Sequence, residues 1–588
     1  MFKIVAVLII FSFSNLTAQE NRYFSPTDFE IDTKNNLLFV AGKTANEIRL
    51  YNLHDFSLKN TLKTELTPKA IKVAGNNLLI SLSYSEGEIF VVDKNSFAIK
   101  SKIKVGHGAC DIATTSDYKT VFVANQFSND ISVVDLELKK ETKRIPVLRQ
   151  PMQLEISKDE KHLFVANFLT TSRADLDTVT SEISIIDLET EEVIKNIPLA
   201  NGSNALRGIS LSADGKYLFI SHNLGRFQVP TTQLEQGWMN TSALSVINTS
   251  SLEFVATVLL DEPEYGAAGS WGISCTPENV FVAHSGTHDF SKINYSEFIE
   301  KLNLTKDKDA LSYDLRFLSG IRTRIKVDGN GPRILKVSDS QLFVANYFTD
   351  NINVFNIETN SISTSLQLNE ITEIDEVRLG EMYFNDATYC FQGWQSCNGC
   401  HPDEARTDGL NWDLLNDGMG NPKNCKSMLL AHETAPAMIT GIRPNAEAGV
   451  RAGFIHIQFT QIEEPHAVAV DKYLRSLKAI PSPYLVKGKL SEKAQKGKII
   501  FEREDCIQCH SGKLFTDQKM HEIGKKDEYD NNNNWDTPTL IEVWRTGPYL
   551  YDGRAATTKN VFAKEKHGLK EQLSEEEIEW LTEYVLSL

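Results

Sequence analysis

The sequence predicts a multidomain chain, an all-β seven-bladed propeller over residues 24–365 followed by a mainly α domain built as a tandem pair, 378–480 and 490–588. Three observations carry that prediction. At 588 residues the chain is too long for one ordinary core. A strand–turn–strand phrase returns seven times in the first two thirds. Six of the eight cysteines lie after residue 389, which separates two chemistries along the chain.

The opening stretch, "MFKIVAVLIIFSFSNLTAQE", combines Lys3, an apolar run from Ile4 to Phe13 and the small residue Ala18, the pattern of a cleaved secretory signal over residues 1–18. The run is short for a bilayer span, and no later stretch reaches the roughly 18 apolar residues a helical span needs. A soluble exported protein, periplasmic or extracellular, is therefore expected. The formal net charge of −17 repels nucleic-acid phosphates and suits a basic partner protein.

The repeat begins with "NNLLFVAGKTANEIRLYNL" near residue 35, "NNLLISLSYSEGEIFVVD" near 76 and "YKTVFVANQFSNDISVVDL" near 118. It continues through "EKHLFVANF" with "SEISIIDL", "GKYLFISHN" with "SALSVINT", "ENVFVAHSG", and "SQLFVANYFTDNINVFNI". Each copy is an apolar β-branched run, a Ser/Asn/Asp/Gly turn and a second run ending in Asp or Asn. Two strands per copy, returning about every 40 residues early on, match one blade of a propeller better than a solenoid or sandwich. Later copies carry insertions, among them a predicted helix at Tyr295 to Leu304. His222, His284 and His288 follow strand phrases; His284 with His288 is a conceivable metal pair, but structural histidines at blade ends are the commoner case. Cys110 and Cys275 read as small buried hydrophobes.

The last third holds "CNGCH" at Cys397, Cys400 and His401, and "CIQCH" at Cys506, Cys509 and His510. Two residues between the cysteines let both sulfurs reach one edge of a porphyrin while the next side chain turns beneath it as an iron ligand. A zinc ribbon would set its pairs about 15 to 20 residues apart, far closer than here, and a redox dithiol has no use for the histidine. Two covalently bound c-type haems, with iron held proximally by His401 and His510, are the expectation. The flanks repeat as well. "RLGEMYFNDATYC" and "AQKGKIIFERED" are Gly-containing helical starts running into Phe, and "HAVAVDKYLRSL" and "EIEWLTEYVLSL" are closing amphipathic helices. The last third thus reads as two cytochrome c modules joined by "AIPSPYLVKGKL".

The "VFVANxxSNDISVVDL" phrase resembles the YVTN-type bacterial β-propellers over roughly residues 24 to 360. "CIQCHSGKLFTDQKMHEIG" and "DTPTLIEVWRTGPYLYDGRAATTKNVF" resemble the C-terminal haem half of the di-haem cytochrome c peroxidase / MauG-like family. The first unit resembles the N-terminal half as it occurs in members fused to such propellers. The resemblance implies electron transfer between two haems, with reduction of peroxide or oxidation of a redox partner protein, the propeller acting as scaffold or docking face. The competing readings are an electron carrier with both irons six-coordinate, and a ligand-binding propeller with a redox-sensing haem domain.

The distal iron ligands decide between these readings. His567, after the "YDGRAAT" turn where the family places its ligand, is the candidate for the second haem, with Met520 and His521 as alternatives; Tyr551 stands where the family often has His. For the first haem His432 leads, followed by Met438, Met419 and His456. Trp394 and Trp412 flank the first motif and suit packing against a porphyrin more than electron relay. Cys390 and Cys425 remain, with a disulfide between them an open question.

Overall fold

Each returning phrase folds as the middle hairpin of a four-stranded antiparallel sheet, and there are seven such sheets from Pro26 to Gln367, each with its strands in sequence order. The computed structural model describes residues 23–229, 239–371, 373–414, 422–523, 530 and 533–588. The expected signal segment and Met419 lie outside the described residues.

The third sheet shows why these residues make a blade. Thr120–Asn125 pairs with Asp130–Asp135 in unbroken register, and Val121, Phe122, Val123, Ile131 and Val134 are buried because both faces of the hairpin meet neighbouring blades. Its outer strand, Lys140–Pro146, is charged and exposed, which blunts the free edge. Its inner strand, Ala109–Thr114, carries half-buried polar residues toward the central channel. Blade meets blade through apolar clusters, Phe39, Ile48, Ile80 and Phe90 between the first two sheets for example. The predicted helix forms as α1 (Tyr295–Leu304), capped by Asn294 and packing Phe298 and Leu302 on the ring.

The ring closes where Phe29, Leu38 and Val40 of the first sheet meet Phe343, Ile352 and Val354 of the last. At this seam both carboxylate oxygens of Asp350 accept backbone N–H groups, from Phe24 at 2.7 Å and Ser25 at 2.8 Å. Arg378, from the first helix of the next domain, donates to Tyr347 O at 2.8 Å and stands 3.9 Å from Asp350. Tyr23 donates its hydroxyl to Asp375 at 3.0 Å.

The mainly α domain contains α2 (Glu376–Asn385), α3 (Pro402–Ala405), α4 (Ala446–Ala452) and α5 (Glu464–Ser476), then α6 (Glu492–Arg503), α7 (Thr558–Ala563) and α8 (Glu575–Leu586). The helical flanks noted in the sequence pair as first with last in each module. A Cβ on Gly380 would stand 1.9 Å from Ala469 O, and a Cβ on Gly497 would stand 1.9 Å from Trp580 O. In both modules, therefore, the glycine is what lets the two helices touch. One turn on, Phe384 meets Tyr473 with ring centres 5.4 Å apart, and Phe501 meets Tyr584 at 5.3 Å.

Several blades touch this domain or its leading helix. Gln126 donates to Asp403 at 2.8 Å, Asn223 donates to Gly399 O at 3.2 Å, and Ala387 N donates to Gly286 O at 2.8 Å. Arg149 donates to Gly547 O and Arg545 O, both at 2.6 Å. Lys43 pairs with Glu404. The propeller histidines do not converge on a common point. His222 bonds Asn223 O at 2.8 Å and Ser245 Oγ at 2.7 Å, His284 bonds Ser291 Oγ at 2.8 Å, and His288 Nδ1 accepts from Gly331 N at 3.1 Å. Burial drops the His222 pKa to about 4, so it is a neutral structural side chain. No helix among the described residues is long and apolar enough to cross a membrane.

Candidate haem site

The two CxxCH motifs adopt one geometry. Cys397–Gly399 and Cys506–Gln508 are single 3₁₀ turns, and the histidine that follows donates its backbone N–H to the first cysteine's carbonyl, at 3.0 Å for His401 and 2.9 Å for His510. That turn brings both sulfurs and the imidazole to one side of the chain. The imidazoles are then oriented in the same way. His401 Nδ1 lies 3.1 Å from Arg406 O, and His510 Nδ1 lies 3.1 Å from Phe515 O, the carbonyl five residues on in both. A carbonyl only accepts, so Nδ1 carries the proton and Nε2 keeps the free lone pair that can ligate a metal.

Burial raises the thiol pKa values, Cys397 up to about 12 and Cys506 up to about 11. Burial likewise lowers the pKa values of His401 and His510, favouring the neutral, ligating imidazole. Among the described residues no cluster of His, Cys, Asp and Glu forms a metal site. Paired neutral thiols beside an oriented imidazole are the donor set of covalent haem. The two pairs, 397–400 and 506–509, are consistent with two c-type haem attachment sites.

Both motifs open into one largely apolar cavity of about 870 Å³, near the upper end of small-molecule sites. His567 is on its wall, its ring centre 6.5 Å from that of His510 with the planes at 63°. With a metal–imidazole bond of about 2 Å, two rings sharing one metal ion stand roughly 6 Å apart, a spacing close to that of this pair. Burial, then the facing His510, pulls the His567 pKa down to about 4 and keeps it neutral.

The first module differs. His432 is not on the cavity wall; its Nε2 lies 2.9 Å from Asp471, and both side chains are almost fully buried. Asp471 also takes Arg451 at 2.5 Å, so His432 sits in a hydrogen-bonded cluster off the cavity wall. Met438 and His456 do line the cavity. His456 lies in a π turn, Gly453–Ile457, directly after α4. Pro436 corresponds to Pro548, both following cis peptide bonds, and Ala446 to Thr558, the starts of α4 and α7. The same offset puts His456 one residue away from His567, and a π turn inserts one residue. His456 is thus the positional counterpart of His567. Aligning "APAMITGIRPNA" with "GPYLYDGRAATT" would have found it in the sequence. Of the alternatives for the second haem, His521 lines the cavity with Nε2 on Asp517 at 2.8 Å, whereas Met520 packs on Gly441 behind the wall.

Trp412 lines the cavity and donates to Asp408 at 2.9 Å; Trp394 packs behind it with Cys390, Met239 and Leu410. Cys390 and Cys425 are separate free thiols, because Cys425 Sγ turns to Cys400 O at 3.2 Å and His401 Nδ1 at 3.6 Å. Sequence reasoning passed over Trp535. It stacks on Tyr551 with ring centres 4.0 Å apart and planes at 4°, and both rings line the cavity between the modules. No local pattern predicts this pair, because its members stand sixteen positions apart with a 3₁₀ turn, Val543–Arg545, between them. The modules are locked around the cavity by Arg406 with Glu542, at 2.8 and 3.1 Å, and Lys426 with Asp536 at 2.5 Å.

With known proteins, the YNCE-like beta-propeller family matches residues 24–230. Hydrazine synthase subunit gamma of Kuenenia stuttgartiensis is 28% identical over 36% of this chain and 77% of its own length. Cytochrome c551 peroxidase of Nitrosomonas europaea is 24% identical over 31% of this chain and 70% of its own. A solved Kuenenia stuttgartiensis hydrazine synthase chain superposes with a TM-score of 0.53 at 21% identity, covering 59% of this chain and 99% of that one, which shows the shared fold. The chain is a seven-bladed propeller fused to a cytochrome c-like domain, similar to these redox proteins.

Proposed function

We propose that this chain is an exported di-haem c-type oxidoreductase of the cytochrome c peroxidase / MauG-like type, with the second module as electron relay and the first as the site that meets peroxide or an oxidisable partner. One observation carries the reading: both motifs line a single cavity, and an imidazole faces the motif histidine in the second module at 6.5 Å, whereas no ring contact to His401 is found among the described residues. When bound, haem would supply one-electron transfer at both positions and, where an iron face stays open, peroxide reduction.

The chain's own residues divide that work. His401 and His510 present Nε2, steadied by the carbonyls of Arg406 and Phe515. His567 closes the far side of the second position. Trp535, Tyr551 and Trp412 fill the space between modules with polarisable rings and exclude water. His456, on the wall of the first module, is the side chain able to hold or pass a proton there. The propeller grips the first attachment loop through Asn223 and Asn240, the latter 3.1 Å from Cys400 Sγ, so it acts as scaffold for that site. The formal net charge of −17 favours a basic redox partner.

A second reading, an electron carrier with both irons six-coordinate, is favoured by the equivalence of His456 with His567. Electron paramagnetic resonance of the purified oxidised and half-reduced protein, before and after peroxide, separates the two. The proposal expects a low-spin signal that His567→Ala removes and a high-spin signal that peroxide converts. A wholly low-spin protein indifferent to peroxide supports the carrier.

A further inference from the structure

The innermost strands of the seven blades place equivalent residues in one layer at the mouth of the central channel beneath the cytochrome modules. Each sits two positions before a buried aliphatic or aromatic residue of its strand, as Lys69 precedes Ile71, Arg207 precedes Ile209, Trp271 precedes Ile273 and Arg333 precedes Leu335. Three of the seven members are cations and none is acidic. The other nearby cations are matched: Lys43 by Glu404, Arg378 by Glu381 at 2.8 Å, and Arg545 by Asp403 at 3.2 Å. Arg207 and Arg333 have no carboxylate within ion-pair distance among the described residues.

Arg207 is only 5% exposed, and its hydrogen bonds are long and to neutral groups, 3.3 Å to Asn223 and 3.5 Å to Asn398. Its guanidinium carbon lies 5.4 Å from the centre of the Trp271 ring, and that of Arg333 lies 4.5 Å from the same ring and 3.8 Å from the Tyr347 ring, so cations from the two flanking blades both lie against this indole. Arg333 Nε and Trp271 Nε1 are buried donors with no acceptor. Burial, and then the neighbouring Arg333, lowers the Arg207 pKa to about 9. A buried unpaired cation is costly, and a second beside it compounds the cost. Planar guanidinium forks are also the groups best suited to carboxylate or phosphate oxygens.

We propose that this layer is a binding site for a small oxyanion, held between Arg207 and Arg333 with Trp271 Nε1 as a further donor. Access is along the central channel, whose deeper layer is polar, with Lys336 between Asp28 at 3.0 Å and Glu30 at 3.2 Å. The site lies beside the first attachment loop, because Arg207 reaches Asn398 between the two motif cysteines. It is independent of whether the first haem reacts with peroxide.

Isothermal titration of the haem-loaded full chain with inorganic phosphate, and separately with acetate, in a chloride-poor buffer tests this. One saturable site for at least one of the two probes is expected, weakened tenfold or more in Arg333→Gln and in Arg207→Gln. Arg207→Lys should bind with intermediate strength, and the exposed-lysine control Lys104→Gln should match the parent. Absence of saturable binding of either anion to the parent chain overturns the proposal, as it would if a haem carboxylate filled the layer. So does undiminished binding in the folded double variant, with folding checked by its melting curve.

Discussion

The two cytochrome modules share a frame and differ in what faces their motif histidines. Gly380 and Gly497 allow equally close helix contacts, the attachment turns match, and both imidazoles are fixed by the carbonyl five residues on. Yet His567 stands across from His510 in the second module, while the first has a buried His432–Asp471–Arg451 knot, with His456 on an irregular turn. Their docking differs too. The first module offers the propeller two carboxylates, Glu404 to Lys43 and Asp403 to Gln126, beside backbone contacts, and the second accepts Arg149 on backbone carbonyls. The attachment turns thus belong to the shared frame, and the two modules differ on the opposite wall.

The largest test removes attachment. Cys397→Ala with Cys400→Ala, and Cys506→Ala with Cys509→Ala, should each cost one covalent haem, seen as a lower intact mass and a diminished Soret band. A loss of both haems from either variant would show the modules to be interdependent. Next come Gly380→Val and Gly497→Val. Each drives a side chain into a facing carbonyl and should destabilise its module by about 3 kcal/mol or more, read from thermal unfolding. Tolerance in one alone would break the equivalence of the frames.

His432→Ala should leave the haem spectrum intact while costing about 1–3 kcal/mol for the Asp471 contact, whereas His567→Ala should change the spin state with little loss of stability. The reverse pattern would restore His432 as a ligand. The smallest effect is pH dependence at the docking surface. Lys43 holds the Glu404 carboxyl well below the usual carboxylate range. Its folded pKa lies below its unfolded one, so its contribution is complete above the unfolded value and is lost as pH falls through the folded one. Half-exposed as the pair is, this amounts to under about 1 kcal/mol. Limited proteolysis on acidification should release the first module's contacts before the second's, and Lys43→Ala should remove that difference.

Much of this was legible in the residues. A seven-fold repeat averages out the ambiguity of any single strand, so the propeller and even the helix at Tyr295–Leu304 could be read directly. CxxCH is legible because the geometry it encodes is local. The distal wall is not, because it is assembled from segments far apart in the chain. His432 lies on Asp471, thirty-nine residues on, a contact no local window of sequence contains. His456 is hidden by a one-residue insertion, and Trp535 meets Tyr551 only after both loops have folded. The cationic channel layer takes each of its members from a different blade, so no window of sequence contains it.

The ring seam has a mechanical consequence. All seven sheets are built from contiguous chain, so no strand is exchanged to clasp the circle; the clasp is Asp350 on the backbone of Phe24 and Ser25, buttressed by Arg378 of α2. Pulling that helix away removes a support from the joint where the circle closes. Melting should therefore be a single cooperative event for both halves of the polypeptide, with the redox portion serving as the lock on its own pedestal.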